Sequence, residues 1–161
     1  MITHNRAGER PSNQRGFSLV ELLIAILIIG VMVAIATPNV QSSYRIYQLR
    51  AAASSVSGII QVTRYRAISS GYPFALVLDK ANSTYQVQSD PAGTGTFANV
   101  GAALPLSGSS TPATLNQNTT LQFRPSGRVL ATTGTTTLVI SYSGQTKTIQ
   151  VSSYGSVTVT P

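Results

Sequence analysis

The longest apolar segment of the chain lies near its beginning. No position from Leu22 to Ala36 carries a charged or polar side chain. A helix over residues 17–36 would measure roughly 30 Å, which is the thickness of the hydrocarbon core of a bilayer. The segment is therefore predicted to cross a membrane. One acidic residue, Glu21, lies inside it, and because an acid in a membrane segment costs about 2 kcal/mol or more, Glu21 is expected to have a partner.

Past Pro38 the apolar positions continue at helical spacing, in two stripes. The first stripe contains Val40, Tyr44, Tyr47, Ala51, Gly58, Val62 and Tyr65, and the second contains Ile46, Leu49, Ala53, Val56, Ile60 and Ala67. Either one stripe packs on a domain core while the other faces neighbouring helices, or both belong to one wide core face. The helix is predicted to end near Ser70, because Gly71 can adopt a left-handed cap and Pro73 follows it.

The remainder of the chain has the patterns of β-strands. Apolar segments at 74–78 and 84–88 flank a polar turn and predict a hairpin. Five more strands, rich in threonine and valine, are predicted at 120–123, 128–131, 136–142, 146–152 and 156–160. Residues 90–118 are rich in small residues and predict a long variable loop, where partner specificity is expected to reside. The predicted fold class is α+β, with an antiparallel sheet packed against the second half of the helix.

Charge predicts the orientation of the membrane segment. The 161-residue chain has a net charge of +7, and Arg6, Arg10 and Arg15 lie immediately before the apolar segment. Because positive flanks stay in the cytoplasm, residues beyond Ala36 are expected outside it.

Composition argues against an enzyme. There is no cysteine, and the only histidine, His4, precedes the membrane segment. Beyond that segment the only acids are Asp79 and Asp90, too few for a convincing carboxylate pair or metal cage. We expect no enzymatic activity, no cofactor and no metal site.

The partner that Glu21 needs can come from processing of the chain. If the chain is cut after Gly16, the new amino group of Phe17 lies about one helical turn from Glu21. An ordinary secretory signal is an alternative, since Ala34-Ile35-Ala36 fits its cleavage site. That signal, like an uncleaved anchor, would leave Glu21 unexplained.

The junction Arg15-Gly16-Phe17-Ser18-Leu19-Val20-Glu21 resembles the class III signal of type IV pilins and pseudopilins. The resemblance implies that a prepilin peptidase cuts the bond between Gly16 and Phe17 and that the new amine of Phe17 is N-methylated. It also implies that Glu21 pairs with the N-terminal amine of a neighbouring subunit during filament assembly. The implied partners are other pilin or pseudopilin subunits, the peptidase and an inner-membrane assembly platform.

Three later segments, at 64–73, 123–129 and 154–155, resemble the GspH/FimT group of minor pilins and pseudopilins. The resemblance implies a cleaved leader at 1–16, a transmembrane helix half at 17–37, an amphipathic helix half at 38–70 and a periplasmic or extracellular β domain at 71–161. The protein would cross the bacterial inner membrane once, with its C-terminal domain in the periplasm, and then enter a filament. A type IV pilus and a type II secretion pseudopilus use the same leader and glutamate, so both remain alternatives.

A second function, DNA capture for uptake in natural transformation, is the alternative to a purely structural role. Some related competence pilins bind DNA through arginines in a C-terminal glycine-arginine motif, but the corresponding stretch here, Gly155-Ser156-Val157-Thr158-Val159, has none. Arg124, Arg128 and Lys147 remain candidate DNA contacts if their strands lie together. Because such residues are more often ordinary solvated surface, we expect at most weak DNA binding that fades with salt.

Overall fold

A computed structural model of the protein describes residues 17–106 and 113–161. The first element, α1, is a single helix over Leu19–Ser70. Its first hydrogen bond joins the amide of Leu22 to the carbonyl of Ser18 (3.1 Å). The predicted end of the helix is confirmed, because Gly71 has a φ of 75° and its amide donates to the carbonyl of Ala67 (3.2 Å).

Ten strands follow α1 in the described part of the chain. They are β1 (Phe74–Asp79), β2 (Thr84–Ser89), β3 (Ala98–Asn99), β4 (Leu104–Pro105), β5 (Thr114–Leu115), β6 (Thr119–Phe123), β7 (Val129–Thr133), β8 (Thr137–Tyr142), β9 (Gln145–Val151) and β10 (Val157–Thr160). The predicted hairpin is present as β1 and β2, with Leu76 opposite Val87. The five later strands lie within two residues of their predicted bounds.

The strands form two sheets where the sequence predicted one. The first has the order β3-β2-β1-β6-β7, with β4 also paired to β2, and the second has the order β10-β9-β8-β5. Every pairing is antiparallel. The predicted α+β class, a long helix with antiparallel sheet, is therefore confirmed.

One hydrophobic core joins the helix to both sheets. The helix contributes Leu49, Val56 and Ile60, the first sheet contributes Leu76, Leu121 and Phe123, and the second contributes Leu138, Ile140 and Ile149. Alternate strand residues point to the same face, which explains why Phe74, Leu76 and Leu78 of β1 are all buried. The chain divides after Val40 into two compact units, and this core belongs entirely to the second.

The stretch predicted as one long loop, 90–118, contains strands β3, β4 and β5. Pairing with β2 places Asn99 opposite Gln88 and Leu104 opposite Tyr85. The start of this stretch is held by Asp90, whose buried carboxylate accepts hydrogen bonds from the amides of Thr94 (3.1 Å) and Gly95 (2.7 Å). Strands of two residues are too short to produce an alternating pattern, so the sequence contains no sign of them.

Candidate functional site

The apolar start of α1 has no protein around it in the described chain. The helix contains an 18-residue window with a mean hydropathy of 3.0, and none of that window is buried. Large apolar side chains are open to the surroundings, with 80% of Phe17 and 67% of Leu27 exposed. The helix is thus long and apolar enough to cross a membrane.

The predicted processing and assembly residues lie at the start of this segment. Phe17 precedes α1 and Glu21 occupies its first turn, where a carboxylate also interacts favourably with the helix dipole. Glu21 is exposed. Gly16, the other half of the predicted cleavage site, lies outside the described residues. The carboxylate of Glu21 is therefore accessible to a group from outside the described chain.

The two stripes of the helix are in different environments. All seven members of the first stripe are exposed, including Tyr47 at 68% and Tyr65 at 70%, whereas every member of the second stripe except Ile46 is buried. The interpretation that both stripes form one wide core face is therefore wrong. Ala52 and Thr63, which belong to neither stripe, are also buried. The hydroxyl of Thr63 donates a hydrogen bond to the carbonyl of Ile59 (2.7 Å). We call the first set of seven residues the tyrosine stripe.

Arg64 has a structural role that the sequence does not reveal. It is half-buried, and its Nε donates to the carbonyl of Gly127 (2.9 Å) in the turn between β6 and β7. The same side chain lies against Gly155, in the turn between β9 and β10, so closely that a Cβ at Gly155 would collide with it. Arg64 thus ties the helix to one turn of each sheet. Both glycines have left-handed φ angles, of 78° and 82°.

The three candidate DNA contacts do not lie together. Arg124 and Arg128 flank the tight turn between β6 and β7, where the amide of Arg124 donates to the carbonyl of Arg128 (2.9 Å), and both line a cavity of about 160 Å³. Lys147 lies on β9 of the second sheet, opposite Ile140. It lines a different concavity with Arg50. The structure therefore pairs two of the residues and separates the third from them.

The described residues contain few groups suited to metal binding or acid–base catalysis. Residues 17–106 and 113–161 contain no group of three or more histidine, cysteine or acidic residues that could hold a metal ion. Of the two acids beyond the membrane segment, Asp90 is buried and holds its own loop. The carboxylate of Asp79 accepts hydrogen bonds from the side chain of Asn82 and the amide of Ala81, which lower its pKa.

Comparison with known proteins identifies two matching family models and no matching single protein. No curated protein and no solved structure matches the chain. Residues 11–37 match the prokaryotic N-terminal methylation motif, which contains the predicted cleavage site and Glu21. Residues 52–155, more than half of the chain, match the type II transport protein GspH. The second match contains most of the buried face of α1, Arg64 and both sheets up to the turn at Gly155. The chain therefore belongs to the GspH family of minor pilins and pseudopilins.

Proposed function

We propose that the protein is a minor pilin or pseudopilin, a structural subunit of a type IV pilus or of a type II secretion pseudopilus. The main support for this proposal is that one helix contains the methylation motif at its start and the exposed tyrosine stripe in its second half. A soluble protein would not leave so much apolar surface uncovered. In a filament, neighbouring helices cover it.

Processing supplies the first step of the proposed role. Prepilin peptidase cuts between Gly16 and Phe17 on the cytoplasmic side, the new amine of Phe17 is methylated, and the helix stays in the inner membrane with the β domain in the periplasm. The assembly platform then moves the subunit into the filament. There the carboxylate of Glu21 pairs with the N-terminal amine of a neighbouring subunit, because both charges lie at the same depth of an apolar layer.

N-terminal mass spectrometry of the membrane-extracted protein tests this proposal. We expect a mature chain that begins at Phe17 and carries a methylated amine. A chain that begins at Thr37 would instead indicate an ordinary secretory signal cut after Ala34-Ile35-Ala36. Gene neighbourhood separates the two kinds of filament, since pilus retraction genes accompany one and secretion genes the other.

DNA capture is a second candidate, favoured by one observation. Arg124 and Arg128 project from a single turn and line one cavity, so two positive charges can reach neighbouring phosphates. Lys147 lies elsewhere, and so the patch is small. A mobility-shift titration over rising salt decides between the candidates: tight binding that survives roughly 200 mM salt and is lost in R124A/R128A would establish DNA capture.

A further inference from the structure

The second sheet has an open edge beside the helix. Strand β10 is the outermost strand of that sheet, and within residues 17–106 and 113–161 no strand pairs with its outer side. Its four residues alternate valine and threonine and carry no charge. Native proteins usually protect such an edge with charged residues, a proline or a bulge, because it otherwise attracts another strand.

The register of β10 shows which backbone groups are free. The amide of Ser152 donates to the carbonyl of Ser156 (2.9 Å), so these two form a hydrogen-bonded pair at the start of the hairpin. In an antiparallel ladder such pairs alternate with pairs whose backbone groups point away from the partner strand. Val157 and Val159, opposite Val151 and Ile149, therefore direct their N–H and C=O groups to the open edge.

Two concavities follow each other along the seam between α1 and β10. The first has a volume of about 530 Å³ and is lined by Gln61, Arg64, Gly155, Ser156 and Val157, together with Val62 and Tyr65 from the edge of the tyrosine stripe. Arg50, Ser54, Ser57, Lys147 and Val159 line the second, of about 270 Å³. We call the two together the α1–β10 groove. From residue 155 to 159 it runs about 13 Å, enough for four or five residues of an extended chain.

The charge of the groove indicates what kind of segment it accepts. Arg50 and Lys147 line the second concavity, near Val159, and among the described residues no acidic side chain lines either concavity. A second copy of the chain is a poor source of the complementary charge, because Asp90 is buried and Asp79 is engaged within its own turn. The occupant that fits is an extended segment with acidic residues from a different protein.

We propose that the α1–β10 groove binds an extended acidic segment of a different filament subunit, which pairs with the open edge of β10 and places its carboxylates beside Arg50 and Lys147. The pairing makes the segment a fifth strand of the second sheet, in the manner of strand addition. That the partner is a filament subunit rests on the proposed function. The groove itself rests on the structure alone.

Fluorescence anisotropy with the mature protein in detergent micelles tests the groove. The probe is a labelled, capped peptide of alternating valine and threonine with two glutamates at one end, made in both polarities, and the matched peptide carries lysines in place of the glutamates. We expect the better glutamate peptide to bind at least about tenfold more tightly than its lysine counterpart. Equal binding of the two would overturn the proposal.

Two pairs of variants locate the binding. V159P removes an outward amide without touching the ladder to β9 and should weaken binding at least about tenfold, while V159T keeps the amide and should stay within about twofold. K147E should weaken binding at least about fivefold, whereas K80E, the same charge change in the turn between β1 and β2, should not. K147E keeps the test valid should V159P fail to fold. Unchanged binding by both variants would assign the peptide to another surface and overturn the proposal.

Two further results distinguish an acidic partner from a second copy of the chain, and the groove from the proposed function. If light scattering shows a dimer for the unaltered protein and a monomer for V159P, the groove binds a second copy of the chain, and the proposal of an acidic partner is overturned. Absence of peptide binding together with a normal Phe17 N-terminus and normal filament incorporation would overturn the groove and leave the proposed function intact. The two proposals therefore fail independently.

Discussion

Arg64 shows how a single side chain can determine which glycines a fold requires. Its guanidinium reaches from the helix to Gly127 and Gly155, in turns that belong to different sheets. The backbone supports the same junction, since the amide of Val129 at the start of β7 donates to the carbonyl of Ser153 (2.9 Å). A residue that looks like surface charge in the sequence is therefore part of the packing between helix and sheets.

Gly155→Ala is expected to destabilise the domain more than the same change at Gly144. Both glycines have a φ of 82°, so alanine is strained at either position, by about 1–2 kcal/mol. Only at Gly155 would the new methyl group also collide with Arg64, while Gly144 has open space. In urea unfolding followed by tyrosine fluorescence, we expect the free energy of unfolding to be about 1–3 kcal/mol lower for G155A than for G144A. Equal losses would show that the contact with Arg64 is unimportant, and R64A should reduce the extra loss.

Glu21→Ala is expected to leave cleavage at Phe17 intact and to reduce incorporation into filaments. The amine of a neighbouring subunit would lose its counter-charge in a layer of low dielectric constant, at a cost of about 3–5 kcal/mol. Glu21→Gln keeps the shape and removes the charge, so it should have the same defect if the ion pair is the cause. Immunoblots of sheared filaments against membrane fractions measure the effect. Normal incorporation of both variants would remove the proposed role of Glu21.

At the scale of elements, the two stripes of α1 lie in different environments, one against the core and one exposed. The buried stripe places Leu49, Val56 and Ile60 against the sheets, and the tyrosine stripe faces outwards. The spacing of apolar residues predicted both stripes. It did not distinguish the stripe that packs on the core from the stripe that is exposed, because both consist mainly of apolar residues.

Tyr47→Glu is expected to impair assembly without unfolding the domain. Tyr47 is 68% exposed, so a charge there meets water in the isolated subunit but an apolar neighbour in the filament. Ser55→Glu introduces the same charge at an exposed position outside the stripe and should assemble normally. Leu49→Glu places a charge in the core and should lower the free energy of unfolding of the domain by several kcal/mol. Circular dichroism and filament immunoblots report the two effects separately, and normal assembly of Y47E would exclude the stripe from the interface.

At the scale of the whole molecule, local patterns predicted the elements but not their arrangement. The end of the helix at Ser70 and the long strands follow from glycine positions and alternation, which act over a few residues. The division into two sheets, the pairing of β3 and β4 with β2, and the separation of Lys147 from Arg124 depend on contacts between distant parts of the chain. The α1–β10 groove is of the same kind, since its two walls are about a hundred residues apart in sequence.

Deleting all residues before Arg45 is expected to give a soluble monomer with both sheets intact. Among the residues whose burial the structure describes, Leu49 is the first in the core, so the deletion removes none of these core residues and the remaining helix keeps its packed face. The truncated chain carries eight basic and two acidic residues, a net charge that favours solubility. Filaments of this family of subunits would arise from head-to-tail contacts that do not close, and the apolar helix should supply most of them. Light scattering should therefore find a monomer and circular dichroism a β-rich fold, whereas filaments formed by the truncated domain would show that the anchor helix is not the main assembly element.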